Sequence, residues 1–185
     1  FSAARCRERR KPLFTNRRVL PPASARHVVE QYLALLAPLG IKVGTPEFVV
    51  PVPPAAERRM DELLLKEGVK PGDRLVAVNP GAGRPEKRWP VERFHALADR
   101  LATQAGARLL VLWGPDESHM ARETALGLPG ASALLAPPTD LGELTALLGR
   151  CRLMIANDTG PLHLAAALGT PCLGLFGPTS AERNG

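Results

Sequence analysis

Aromatic side chains are scarce in this 185-residue chain, at 4% of the total, and cysteine is scarcer still. Cys6, Cys151 and Cys172 stand far apart with no metal-ligand spacing. Such an odd, scattered set reads as buried thiols in a reducing compartment, the latter two within apolar strand segments. His27, His95, His119 and His163 are equally dispersed, so no zinc site is expected. No apolar run approaches the roughly 20 residues that span a bilayer. The chain also lacks the Gly-Lys-Ser or Gly-Lys-Thr of a mononucleotide P-loop, the third glycine of a dinucleotide fingerprint, and any Asp-X-Asp loop. Those absences weaken the two commonest nucleotide-site readings.

What is present is a balanced globular composition with 45% hydrophobic residues, enough for one domain to bury a sizeable core. The net charge of +6 is local. Arg5, Arg7, Arg9, Arg10, Lys11, Arg17 and Arg18 face the single acid Glu8, while residues 19–185 balance at 17 basic and 17 acidic side chains. Only Phe1 and Phe14 are interleaved with that run, and no base-reading module follows it, so nucleic acid is not the expected partner. A solvated face is the commonest role for such a run.

Two glycine-bearing turns carry the chemistry. Residues 152–156 form an apolar run of strand length, followed by Asn157-Asp158-Thr159-Gly160-Pro161-Leu162-His163. Asp158 and Thr159 are helix-capping types, Gly160 allows close backbone approach, and Pro161 suits a first helical turn. A helix begun there points its positive end at the turn, and His163 adds a donor, which suits an anion. The plain alternative is that Asp158 only caps the helix. The second turn follows Leu75, Val76, Ala77 and Val78 and runs Asn79-Pro80-Gly81-Ala82-Gly83 into Lys87-Arg88-Trp89-Pro90. It outlines a phosphate cradle with a lysine at its rim.

Elsewhere the chain alternates. A helix is predicted over 25–39, closed by Gly40, then a proline-bearing connector around a short strand candidate, Phe48, Val49 and Val50. From residue 55 helices to 67, over 90–104, 117–127, 140–149 and 161–168 interleave with strands over 74–79, 108–113, 132–135, 152–156 and 171–176. Strict alternation implies a Rossmann-like parallel sheet with helices on both faces. Ligands of such sheets sit beyond the carboxyl ends of the strands, where residues 81–87, 114–116 and 158–163 all fall. Asp116 is a candidate for ribose hydroxyls, Thr139 and Leu141 for the base, and Gly81, Ala82, Gly83, Lys87, Thr159 and Gly160 for a diphosphate.

Lys87-Arg88-Trp89-Pro90, Trp113-Gly114-Pro115-Asp116 and Asn157-Asp158-Thr159-Gly160-Pro161-Leu162-His163, in that order, resemble glycosyltransferase family 9, the bacterial lipopolysaccharide heptosyltransferases. The resemblance spans roughly residues 20–185. It implies the C-terminal, nucleotide-sugar-binding domain of a GT-B enzyme, with residues 1–45 the tail of an acceptor domain, 46–54 a linker and 55–185 the donor domain. The implied activity is inverting transfer of heptose from ADP-heptose to the lipopolysaccharide inner core. Lys87, Asp158 and His163 then act at the sugar and phosphates, with no further cofactor and no metal, and the general base is an aspartate of a first domain outside this chain. Ala82 and Gly83 replace hydroxyl residues of the family pattern, which transfers phosphate contacts to backbone N–H groups and leaves the donor's identity open. A lipid A/Kdo-type glycolipid acceptor, a monomer, and a cytoplasmic location with peripheral contact at the inner membrane are the associated expectations. The basic run then meets acceptor or headgroup phosphates, an expectation that the acceptor KM after replacing Arg9, Arg10 and Arg17 with Ala would test. The rival readings are a related GT-B-fold enzyme such as a nucleotide-sugar epimerase, and a nonenzymatic anion-binding module.

Overall fold

The computed structural model describes Ser2–Ala3 and residues 18–185. The basic run other than Arg18, and Cys6, lie outside the described residues. The chain divides into two compact units, one made of the described residues up to Glu47 together with Ser180–Gly185, the other Phe48–Thr179.

In the first unit, strands β1 (Ser2–Ala3) and β2 (Arg18–Val19) pair in parallel. Helix α1 (Val28–Leu33) begins with a capping box: His27 Nδ1 accepts from Val29 N and Glu30 Oε2 accepts from His27 N. Such boxes satisfy two of the donors that a helix start leaves free. The helix predicted over 25–39 is shorter than expected, because a 3-10 turn (Ala34–Leu39) containing Pro38 takes over and closes at Gly40. Proline lacks the N–H that an α-helical ladder needs. The short helix α7 (Ala181–Asn184) completes the unit, and Arg26 reaches Glu182 at 2.6 Å.

The second unit is a doubly wound α/β layer structure. Its elements in chain order are α2 (Pro54–Lys66), β3 (Arg74–Asn79), α3 (Val91–Ala105), β4 (Ala107–Val111), α4 (Ser118–Ala125), β5 (Ala133–Leu135), α5 (Leu141–Gly149), β6 (Leu153–Asn157), α6 (Gly160–Ala167) and β7 (Cys172–Leu175). All neighbouring strands are parallel, in the order β5-β4-β3-β6-β7. Side-chain alternation assigns the two faces. Leu75 and Ala77 of β3 pack with Met60, Leu147 and Ala165 from α2, α5 and α6. Val76 and Val78 pack with Phe94, Ala98 and Ala121 from α3 and α4. Burial of a side chain such as Phe94, fully excluded from solvent, contributes about 1.5–3 kcal/mol.

The order has one consequence for function. From β3 the chain winds outward through β4 to β5, then returns to lay β6 on the other side of β3. The loops leaving β3 and β6 therefore lead to helices on opposite faces, α3 and α6, and in sheets of this kind the ligand crevice lies at that point of the carboxyl edge.

Three expectations are corrected. Phe48, Val49 and Val50 form no strand; Pro51 follows at once, Phe48 and Val49 are exposed, and the parallel sheet does not include them. Cys151 is buried but lies in the turn before β6 rather than in a strand, and Cys172, on β7, is exposed rather than buried. The strand expected over 108–113 ends at Val111, although Leu112 N still donates to Val78 O.

Candidate functional site

The crevice is built from the loops after β3, β4 and β6. Lys87 ends a 3-10 turn (Pro85–Lys87) in the loop after β3, and its Nζ donates to Asp158 Oδ2 at 2.7 Å and to Asp158 O at 3.3 Å. His163 Nε2 lies 3.0 Å from Asp158 Oδ1. An ionised carboxylate only accepts, so this nitrogen carries the proton. The Asp158 side chain is 5% exposed and that of His163 47%. Burial works to raise the Asp158 carboxyl. Hydrogen bonds with Lys87 and His163, the nearby Thr179 hydroxyl and the Lys87 charge overcome it and hold the group down at about 2. The Thr179 hydroxyl is buried and makes no hydrogen bond of good geometry; its part in this is the smaller one beside Lys87.

Asp158 is thus occupied as an ion-pair hub and not as a helix cap. Thr159 holds the N-cap position of α6 without a side-chain hydrogen bond. The amide groups of Gly160 and Leu162 at the start of this helix face no protein acceptor among the described residues. Two unpaired donors, the positive end of the helix dipole and a lysine make a local environment suited to phosphate oxygens.

The glycine loop lies against this cluster. Gly81 and Ala82 are buried and Gly83 is exposed. A Cβ on Gly81 would stand 2.0 Å from Glu117 Oε2, so any larger residue there displaces that carboxylate. Glu117 Oε2 also accepts from Gly114 N at 3.3 Å, and Glu117 Oε1 accepts from Arg88 Nη2 at 3.1 Å. Arg88 Nε in turn donates to Ala82 O at 2.9 Å. The loop after β4 is therefore joined to the loop after β3 through Arg88 and Glu117.

The structure brings Gly81, Ala82, Lys87, Asp158, Thr159, Gly160 and His163 to one edge of the crevice. Asp116 is exposed, with left-handed backbone at φ 63, and its neighbour Glu117 is the carboxylate laid against the glycine loop. Thr139 and Leu141 flank Asp140, whose Oδ1 accepts from Glu143 N at 2.8 Å to cap α5; they stand after β5, apart from the Lys87 cluster. Trp113 Nε1 donates to Ala136 O at 2.7 Å and so connects that loop to the one after β4.

Sequence reasoning assigned no role to Asn79, Arg88, Glu117 or Asn157. Asn79 ends β3 and Asn157 ends β6, and an amide closing an otherwise apolar strand is the signal by which they stand out. Asn157 is fully buried. Among the described residues there is no cluster of three or more His, Cys, Asp or Glu side chains able to hold a metal ion, and no helix long and apolar enough to cross a membrane.

Comparison with known proteins identifies the family. The family model described as glycosyltransferase family 9 (heptosyltransferase) matches residues 4–185. Lipopolysaccharide heptosyltransferase 3 of Escherichia coli is 35% identical over 164 residues, covering 86% of this chain and 47% of the relative. The crystal structure of a family 9 glycosyltransferase from Veillonella parvula superposes with a TM-score of 0.83 at 27% identity, over 95% of this chain and 51% of that one. The heptosyltransferase WaaC of E. coli, solved with ADP, shares the fold at a TM-score of 0.65 and 24% identity, over 94% of this chain and 52% of that one. The chain spans about half the length of the curated relatives it matches.

Proposed function

Because the chain belongs to glycosyltransferase family 9, we propose that it supplies the C-terminal, nucleotide-sugar-binding domain of a GT-B heptosyltransferase. In this reading the whole enzyme moves heptose from ADP-heptose to the lipopolysaccharide inner core with inversion. The observation that carries it is the convergence of Lys87, Asp158, His163 and the open start of α6 on the crevice between β3 and β6.

The chemistry follows from what departs. As the glycosidic bond breaks, negative charge grows on the nucleoside diphosphate while the sugar takes on oxocarbenium character. Lys87 and the N–H groups of Gly160 and Leu162 are preorganised donors for that charge. Asp158 keeps Lys87 extended into the crevice and, with His163, borders the sugar side. Glu117 and Asp116 offer carboxylates to the ribose, and the loop carrying Thr139 and Leu141 is the place for the base. The acceptor hydroxyl needs a general base, which this reading assigns to the part of the enzyme outside the chain. The concentration of basic side chains in residues 1–18 supports contact with the phosphates of a lipid A/Kdo-type acceptor or of anionic headgroups at the inner membrane; a cytoplasmic monomer completes the proposal.

Titration calorimetry of the chain with ADP, UDP and ADP-heptose tests the proposal. Binding of the adenine compounds, lost in Lys87→Ala and Asp158→Ala, is the expected result. Preference for UDP would point to a different nucleotide-sugar enzyme, and binding of anionic lipid or nucleic acid alone would overturn the proposal.

A further inference from the structure

Asn157 has no solvent exposure, yet every polar atom of its side chain is used. Its Nδ2 donates to Pro80 O at 2.9 Å and to Gly81 O at 3.1 Å, and its Oδ1 accepts from Trp89 N at 3.0 Å. All three partners are backbone groups of the loop that leaves β3. Pro80 and Gly81 open that loop and Trp89 closes it, so a single amide draws the two ends together. Lys87 lies between them, on the 3-10 turn. The next residue in the chain, Asp158, receives the Lys87 ammonium. Adjacent residues of β6 and its loop thus hold both the ends of the opposing loop and the cation it presents.

The amide has only one workable orientation. Turning it over would set an oxygen against two carbonyls and an NH2 against an N–H, so neither aspartate nor a flipped asparagine reproduces the pattern. The link is returned from the other strand: Asn79 Oδ1 accepts from Gly81 N at 3.2 Å, and its Nδ2 donates to Thr159 Oγ1 at 3.5 Å. Each strand of the crevice therefore ends in an asparagine that reaches into the loop of its neighbour.

We propose that Asn157 is a positioning residue of this site: by cinching residues 80–89 it sets where Lys87 stands, and thereby how tightly a nucleoside diphosphate is held. The inference rests on the nucleotide-sugar reading above. Asn157 does not itself touch the ligand in this account. It acts through the loop, so its removal should open that loop locally while the sheet stays closed.

The test uses the full chain, with Asn157→Ala and Asn157→Asp, ADP as the probe, and amide hydrogen exchange followed by NMR. Both variants should raise the Kd for ADP about tenfold or more, the loss expected when a buried hydrogen-bonding group is removed. Exchange at the Trp89 amide should accelerate in Asn157→Ala and stay slow in Asn157→Asp, which keeps an acceptor, while Val78 and Ile155 remain protected in both. A purely structural role would instead lower protection at Val78 and Ile155 along with Trp89. Unchanged ADP affinity in a folded Asn157→Ala chain overturns the inference. If neither variant folds, the unaltered chain decides: a Trp89 amide that exchanges as fast as that of exposed Gly83 overturns it, and a protected one that protects further on ADP binding supports it. Absence of nucleotide binding by the unaltered chain would sink the functional reading instead, so the two failures are distinct.

Discussion

Replacing Asp158 with asparagine removes the charge at the centre of the crevice and leaves its shape. In the unaltered chain the carboxyl is 5% exposed, with Lys87 Nζ at 2.7 Å on one oxygen and His163 Nε2 at 3.0 Å on the other. Burial raises the group, but the hydrogen bonds and the Lys87 charge bring it from the ordinary 3.8 to about 2. That fall corresponds to about 2.4 kcal/mol of preference for the ionised form in the folded state. Since the folded value is the lower one, the stabilisation is complete above about pH 5, where both states are ionised, and is lost as the pH falls through about 4 toward 2. The Asp158→Asn chain has nothing to titrate at this position. The gap in unfolding free energy between the two proteins, measured by urea denaturation at pH steps from 6 to 2, should therefore narrow by about 2 kcal/mol on acidification. Other carboxylates titrate in both proteins and cancel in the difference. A gap of constant size across that range would refute the assignment of Asp158 as the buried hub.

Gly81→Ala would place a methyl group 2.0 Å from Glu117 Oε2, so the carboxylate should be expelled and its pairing with Arg88 lost. The expected result is weakened ADP binding with a stability loss of about 1 kcal/mol; in Gly81→Ala/Glu117→Ala, where the clash is absent, the stability loss should fall short of the sum of the two single changes while ADP binding stays weak, and a double-mutant cycle reads the coupling. Thiol labelling in a Cys6→Ser background should modify Cys172, an exposed residue although partial burial pushes its thiol up, well before Cys151, which is buried, pushed up to about 12 and reacts only at the rate of unfolding. Equal labelling of both would contradict the burial of Cys151.

Most of the second unit was legible because its signals are local. Apolar runs such as Leu75 to Val78, separated by amphipathic stretches that end in glycine or proline, need no knowledge of partners to be read as strands and helices. The same reasoning misread residues 48–50, where β-branched composition suggested a strand but nothing in the sequence tells whether a pairing edge is available. It overran at residues 34–39 because Pro38 changes the hydrogen-bond pattern rather than the periodicity. In the site, Lys87, Asp158 and His163 were visible from motif chemistry, and the geometry joins them. Which of the adjacent acids 116 and 117 lies against the glycine loop was not visible. It depends on the left-handed backbone at Asp116 and on Arg88, 29 positions away in the chain from Glu117. The amide of Asn157 bonds groups up to 77 positions distant, and no sequence window contains such a relation.

Strand β7 has a consequence for handling the protein. Among the described strands it pairs with β6 alone, and it is short, untwisted by any bulge, and carries Cys172 and Leu173 at the surface, the latter 49% exposed. Pro171, whose carbonyl accepts from Met154 N, stands directly before it, but no lysine or other charged side chain lies within Cys172–Leu175 to blunt the margin. Concentrated solutions of the chain should therefore self-associate by strand addition at this margin, and oxidation could then lock neighbouring copies through their Cys172 thiols. A lysine in place of Leu173, with serine at Cys172, is the pair of changes that should keep the chain dispersed without reaching the crevice.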